Sequence, residues 1–370
     1  MSKKLLSALF AGLLVLAGAS AVFAGEKEDL GKILYFDRHL SLNQNQSCAS
    51  CHDPDTAGFA DPLNQRLPVA FPVSVGSDTS LVGGRNAPPA SYAMFSPPFG
   101  FDEVEGLYIG GQFWDGRAAT LEDQAKGPFS NPVEMAMPDK ASVIAALRDE
   151  ANPNAAAYQT LFSSVFGIDL AGADVELTYD KLAEAIAAFE RTSAFTAFTS
   201  KFDAVMAEAE EFTADEAAGF ELFFNEEIGS AGAAGCSLCH PAPLFTDFSY
   251  DNLGIPKSKN DLLKQNPPDL GLGALVDGED GKFKVSSLRN LSLTAPYGHN
   301  GYFATLETIV HFYNTRDVEK WAKPEVAANV NFDELGNLGL TADEERQLVA
   351  FLKTLSDRAG APSYPPSDLP

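Results

Sequence analysis

All four cysteines of this chain fall in two short segments, Cys48-Ala49-Ser50-Cys51-His52 and Cys236-Ser237-Leu238-Cys239-His240. Each spells C-x-x-C-H, the signature of covalent c-type haem attachment. Two thiols three positions apart can each add to a vinyl group of one porphyrin, while the adjoining imidazole reaches the iron as proximal ligand. A structural zinc site wants four ligands, and each motif supplies three with no nearby fourth Cys or His. A redox dithiol does not call for histidine directly after the second cysteine, twice. The chain is therefore expected to carry two haem c groups, attached at Cys48, Cys51, Cys236 and Cys239, with His52 and His240 on the irons.

The group on the far side of each iron separates electron carriers from enzymes. Methionine occurs at 1, 94, 135, 137 and 206, so none follows the second motif. The remaining candidates there are His299, His311 and Tyr313. From a helix start near Thr305, the residues Leu306, Ile309, Val310 and Tyr313 follow the i, i+3, i+4, i+7 rule, which turns Tyr313 inward and His311 outward. Periodicity alone leaves two readings open: a buried tyrosine with an ordinary hydrogen-bond partner, or a phenolate ligand that favours ferric and higher iron states. In the first half no histidine follows His52. Met94, Met135, Met137, or His39 folding over from before the motif, would be needed to fill that position, and an open site is expected. An open position beside an acid is where a small oxidant such as peroxide could bind and be cleaved.

The elements that position these groups read as helices with Gly- and Pro-rich loops between them. Capping boxes open helices at Thr213-Ala214-Asp215-Glu216 and Thr341-Ala342-Asp343-Glu344, on either side of the second motif. The first half repeats this layout, with a helix near Glu28 to Tyr35, the motif, loops, and a helix near Tyr179 to Thr192 with Leu182, Ile186 and Phe189 on one face. The expected fold is mainly α, two cytochrome c-like domains at 25–200 and 201–370, joined around residues 195 to 212. Trp321 is read as a core residue, with a surface relay as the alternative.

Residues 1–24 carry Lys3 and Lys4, an uncharged run from Leu5 to Phe23, and small residues at Ala21 and Ala24. That is the pattern of a secretory signal peptide. Its removal would leave residues 25–370 in the periplasm with no membrane insertion, since no later run approaches eighteen apolar residues. Losing Lys3 and Lys4 takes the formal charge from -25 to -27. That charge makes nucleic acid and anionic lipid poor partner candidates, whereas a basic electron-carrier protein would be attracted.

Further segments resemble the bacterial dihaem cytochrome c peroxidases and their relative MauG, which matures a quinone cofactor within a partner enzyme. They are Gly31-Lys32-Ile33-Leu34-Tyr35-Phe36-Asp37, Phe113-Trp114-Asp115-Gly116-Arg117, Asn131-Pro132-Val133-Glu134, Ala187-Ala188-Phe189-Glu190-Arg191-Thr192, Ser287-Leu288-Arg289-Asn290 and Leu293-Thr294-Ala295-Pro296-Tyr297. The resemblance implies that Gln124, Pro128 and Glu134 line the distal side of the first haem, with Glu134 moving protons as the O–O bond of hydrogen peroxide breaks. It implies that Trp114 lies between the haems, and that Asn86, Thr294 and Pro296 help hold a calcium ion. Tyr313 falls where MauG has its axial tyrosine, which points to that branch. Gly298 and Asn300 replace the Met and Asp common around His299, and Ala234 stands where MauG has a surface tryptophan that passes holes to its partner. Two enzyme readings follow: a peroxidase fed by a small cytochrome c or cupredoxin, and a maturase oxidising side chains of a specific protein. A pure electron carrier with both irons six-coordinate is the alternative from another class.

Overall fold

The structure is a computed structural model that describes residues 21–56, 58–64, 71–227, 232–367 and 369, and side chains from residue 25. Most of the expected signal peptide lies outside the described residues. Among those residues ten α-helices occur: α1 (Ala21–Phe36), α2 (Cys48–Cys51), α3 (Leu121–Ser130), α4 (Lys140–Leu147), α5 (Ala155–Phe166), α6 (Val175–Glu190), α7 (Lys201–Met206), α8 (Ala214–Phe224), α9 (Leu306–Thr315) and α10 (Ala342–Lys353). Strands are confined to two short antiparallel pairs, β1 (Gly100–Asp102) with β2 (Leu107–Ile109) and β3 (Tyr250–Asp251) with β4 (Phe283–Lys284). No described helix is long and apolar enough to cross a membrane.

Helix α6 starts at Val175, before the expected Tyr179, because the Asp174 side chain caps it by accepting from the Leu177 N–H. The capping boxes at Thr213 and Thr341 are present, each threonine accepting from the N–H of the glutamate three residues on. Helix α7 occupies the stretch read from sequence only as a junction.

The chain builds one arrangement twice. In the first half α1 crosses α6, and in the second α8 crosses α10; these are the most extensive helix pairings. Each crossing has a glycine at its centre. A Cβ on Gly31 would fall on the Ala185 carbonyl and 2.8 Å from Phe189 Cβ; a Cβ on Gly219 would fall on the Gln347 carbonyl and 2.8 Å from Phe351 Cβ. The crossings place Ala185 and Phe189 at the positions held by Gln347 and Phe351. One apolar core surrounds Leu34, Tyr35, Leu182 and Ile186, a second surrounds Leu222, Phe223, Leu348 and Phe351. Trp321 packs edge-on against Phe312 at the margin of the second core, its indole N–H donating to Thr315 Oγ1.

Buried polar groups join the halves. Within the second half, Arg289 donates to both oxygens of Asp203 (2.8 and 3.1 Å), and the two side chains are 0 and 2 % exposed. The guanidinium also lies over the rings of Tyr92 and Phe198. Asp357 gathers Tyr92 Oη, the Thr199 N–H and the Asn290 amide. Nearer the surface, Arg85 bridges Asp269 and Asp115.

Candidate functional site

Both C-x-x-C-H motifs have the same local geometry. The His52 N–H donates to Cys48 O and the His240 N–H to Cys236 O, each at 2.9 Å, which winds one turn and brings both cysteines and the histidine to one side. His52 Nδ1 lies 3.2 Å from Phe59 O and His240 Nδ1 lies 2.8 Å from Phe245 O. A carbonyl only accepts, so Nδ1 carries the proton in each ring and Nε2 keeps its lone pair for a metal. Phe59 and Phe245 both sit at positive φ (64° and 55°), a strained conformation for phenylalanine that aims the carbonyl back at the ring. Burial lowers the pKa of both histidines, favouring the neutral ligating form.

Each motif faces its own cavity. The first, about 680 Å³, is lined by Cys48, Cys51 and His52 together with Gln124, Pro128, Met135, Glu134 and Glu190. The second, about 200 Å³, is lined by Cys236, Cys239 and His240 together with Ile309, Leu348, Leu352 and Tyr313. The opposite wall of each is one helix entered in the same way. Tight loops closed by the Gln112–Ala118 and Tyr297–Phe303 bridges, each with a glycine at positive φ (Gly116, Gly301), lead to a threonine N-cap, Thr120 for α3 and Thr305 for α9. Positions one, four, five and eight beyond the cap line the cavity in both: Leu121, Gln124, Ala125 and Pro128 in α3, Leu306, Ile309, Val310 and Tyr313 in α9. Pro128 thus occupies in the first cavity the place Tyr313 holds in the second. Proline offers no ligating side-chain atom, whereas a phenol does.

His311 points outward and pairs with Glu345 and Glu319. His299 stacks on Phe283, approaches Glu325 at 3.3 Å, and edges both cavities. No described residue hydrogen-bonds the Tyr313 hydroxyl, and burial raises its pKa above the ordinary phenol range. In the first half His39 pairs with Asp37 away from the cavity wall, and of the methionines only Met135 lines it.

The donor set fits a covalently bound haem better than a chelated metal. Burial pushes the Cys51, Cys236 and Cys239 thiols up to about 12, so they stand neutral, the form that becomes thioether sulfur and not thiolate ligand. Among the described residues no group of three or more His, Cys, Asp or Glu is placed to hold a metal ion. Three buried side-chain atoms without a partner, Gln46 Oε1, Ser74 Oγ and Glu190 Oε2, belong to residues lining the first cavity, as befits a wall shaped around a group with its own polar atoms.

A family model described as di-haem cytochrome c peroxidase matches residues 25–211. The chain belongs to that family. It is 41% identical to the methylamine utilization protein MauG of Paracoccus denitrificans, over 95% of this chain and 94% of that one. It is 30% identical to the cytochrome c551 peroxidase of Nitrosomonas europaea, over 89% of this chain and 79% of that one. The diheme peroxidase BthA of Burkholderia thailandensis superposes with a TM-score of 0.78 at 30% identity, covering 90% of this chain and 86% of that one. The family carries two c-type haems on two cytochrome c-like domains, and each of the two cavities here is lined by one C-x-x-C-H motif.

In this di-haem family member the remaining expected residues meet at the boundary between the cavities. Trp114 lines both; its indole N–H donates to Asn86 O at 2.8 Å and its carbonyl accepts from the Lys284 N–H. Asn86, Thr294 and Pro296 line the second cavity, and no hydrogen bond among the described residues uses Asn86 Oδ1 or the Thr294 and Pro296 carbonyls. Glu134 is held by its backbone, its N–H donating to Asn131 O and its carbonyl accepting from the Ser77 N–H. Burial raises its pKa, opposed by Arg117, whose guanidinium stacks 3.6 Å over Phe113. Two residues escaped the reading of the sequence. Glu190 sits four positions after Ile186, so a charge on an apolar face was the available sign. Lys284, half-buried with its ammonium donating to Gly111 O and its pKa lowered by desolvation to about 8, had none.

Proposed function

We propose that the protein reduces hydrogen peroxide in the first cavity, with electrons relayed through the second haem from a small cytochrome c or cupredoxin in the periplasm. Residues 25–200 form the peroxide module and 201–370 the relay module. The observation that carries this reading is Pro128 and Tyr313 at equivalent positions of α3 and α9: one cavity wall offers no ligating side chain there, and the other a phenol that could ligate a bound haem. Haem iron, when bound, supplies the two electrons that cleave the O–O bond, and two protons complete two waters. The protein's part is to hold peroxide and move those protons. Glu134, whose proton affinity burial raises, is the carboxyl that can take up a proton and pass it to the departing oxygen, and Gln124 offers an amide to orient the incoming molecule. Pro128 leaves room at the coordination position. Trp114, shared by the two walls, is the side chain through which an electron passes between them. Calcium held by Asn86 Oδ1 and the Thr294 and Pro296 carbonyls would tie the two cavities at that junction. The formal charge of -25 steers a basic donor protein to the surface.

Oxidation of side chains in a specific protein, the second reading, is favoured by the MauG relatives. Against it, Ala234 is buried in the wall of the second cavity, so no oxidisable side chain leads outward from that point. Optical and EPR spectra of the fully oxidised protein before and after one equivalent of peroxide test the common core of both. One high-spin haem that changes promptly without prior reduction is expected; two low-spin haems inert to peroxide would overturn it. Rapid steady-state turnover with a reduced small cytochrome or cupredoxin separates the peroxidase from the maturase.

A further inference from the structure

The two crossed helix pairs give a register in which each residue of α6 has a counterpart in α10. With Gly31 set on Ala185 and Phe189, and Gly219 on Gln347 and Phe351, Ile186 matches Leu348 and Glu190 matches Leu352. All four of these residues line their cavities. At one place in a repeated wall the second haem site therefore has a leucine and the first a carboxyl group. Glu190 is 8 % exposed, and its Oε2 is buried with no hydrogen-bond partner in the described structure. A buried carboxyl without a partner is costly, and its occurrence in a repeat whose other copy has leucine asks for a use.

We propose that Glu190 is a redox-linked proton site of the first haem. As one electron from the carrier protein reaches that haem, one proton from solvent enters the Glu190 carboxylate; the proton leaves when the electron does. The charged and titratable neighbours are consistent with this. Arg191 is engaged by both oxygens of Glu122 from α3 and does not pair with Glu190. Tyr35 from α1 and Cys48 from α2 face it, the cysteine becoming an uncharged thioether when haem is attached, and Glu134 lies on the same cavity wall. Burial pushes Glu190 up to about 8, with Arg191 opposing and Glu122 reinforcing, so it titrates within reach of ordinary pH. In the low dielectric of such a site an added electron raises the proton affinity of a nearby carboxylate, and the negative carboxylate in turn disfavours the electron.

The inference rests on the reading of the first cavity as the redox site, and its test reads a potential, not turnover. Spectroelectrochemical titration of the holoprotein across about two pH units either side of about 8 should show the first-haem potential falling as pH rises. The limit is a tenfold change in equilibrium constant per pH unit, about 59 mV. The second haem has Leu352 at that place, and a slope it shows belongs to the groups of its own cavity, Lys284 and Asp251, so the deciding comparison is the first haem of the parent against that of the variant. In Glu190→Gln the segment disappears, the alkaline potential lies above that of the parent, and the protonated carboxyl band of the infrared redox difference spectrum is lost. Glu190→Leu, copying the second module, gives the same flat profile if the glutamine variant does not assemble. A flat parent profile, or a glutamine or leucine variant with full haem content that keeps the slope, overturns the proposal. Loss of peroxide turnover with the slope intact would count against the proposed function instead.

Discussion

Replacing Gly219 by alanine puts a methyl group where the structure has none to spare. The added carbon would lie 2.6 Å from the Gln347 carbonyl carbon and 2.8 Å from Phe351 Cβ, where carbon atoms normally rest about 3.5–4.0 Å apart. The contacts are backbone and a Cβ, so no side chain can swing away, and α8 and α10 must part by roughly 1 Å at their crossing. Overpacking of this kind costs about 1–3 kcal/mol, and an immovable neighbour argues for the upper end. Alanine in a helix returns about 1 kcal/mol relative to glycine, leaving a net loss of roughly 2 kcal/mol. For a module of this size that is a fall of about 4–8 °C in melting temperature. Because Phe223, Leu348 and Leu352 carry the strain into the second cavity, the absorption and EPR of the second haem should change while the first is untouched. Gly31→Ala should do the reverse, acting through Ile186. Thermal melts of the two holoproteins, followed at the haem bands, decide the matter. A melting temperature equal to or above the parent's would mean the crossings are not the tight points inferred, and the shared register drawn from them would fall.

Other outcomes can be stated more briefly. Glu134→Gln should lower peroxide turnover about 10²–10⁴-fold with haem content unchanged, since general acid–base catalysis contributes that much; stopped-flow decay of peroxide checks it. Tyr313→Phe should remove the oxygen ligand of the second haem and alter its low-spin EPR signal without opening the first site. Asp203→Asn leaves the buried Arg289 charge uncompensated and should cost about 3–5 kcal/mol in denaturant unfolding. Glu190 binds its proton up to about 8 in the folded chain but only to its ordinary value of 4.5 when unfolded, so the folded state holds the extra proton between the two. Stability therefore falls as pH rises through that interval, by on the order of 5 kcal/mol in all, and Glu190→Gln should remove the fall.

How much of this was legible in the sequence depends on whether a residue's role is local. The haem motifs, the capping boxes and the α9 stripe are written in spacings of three to seven residues, and the placement of Tyr313 on a cavity wall follows from period alone. Pro128 could be assigned from resemblance, but its equivalence to Tyr313 needed the two loops at Gln112–Ala118 and Tyr297–Phe303 to be seen closing in the same way. Phe59 and Phe245, whose carbonyls fix the histidine tautomers, are at different distances from their motifs, seven and five residues, and their positive φ has no sequence sign. The Arg289–Asp203 pair joins residues 86 apart, and only the packed interior shows that each needs the other.

The division of labour between the halves follows from few exchanges on a repeated scaffold. On the helix facing each motif, Pro128 stands for Tyr313 and Gln124 for Ile309; on the crossing helix, Glu190 stands for Leu352. Each exchange takes a potential ligand away from the first wall or adds there a group that can hold a proton or hydrogen-bond, while the second wall has at those three places a phenol and two aliphatic side chains. Peroxide cleavage needs both an empty position and protons, whereas passing an electron needs neither and is served by a wall that does not rearrange. One of the few side chains bordering both cavities, Trp114, is also an oxidisable one, fixed by its hydrogen bond to Asn86 and by the Lys284 N–H on its carbonyl. Positioning the indole is thus a task of both halves at once, and the contacts of Asp357 with Tyr92 and Thr199 hold those halves in register.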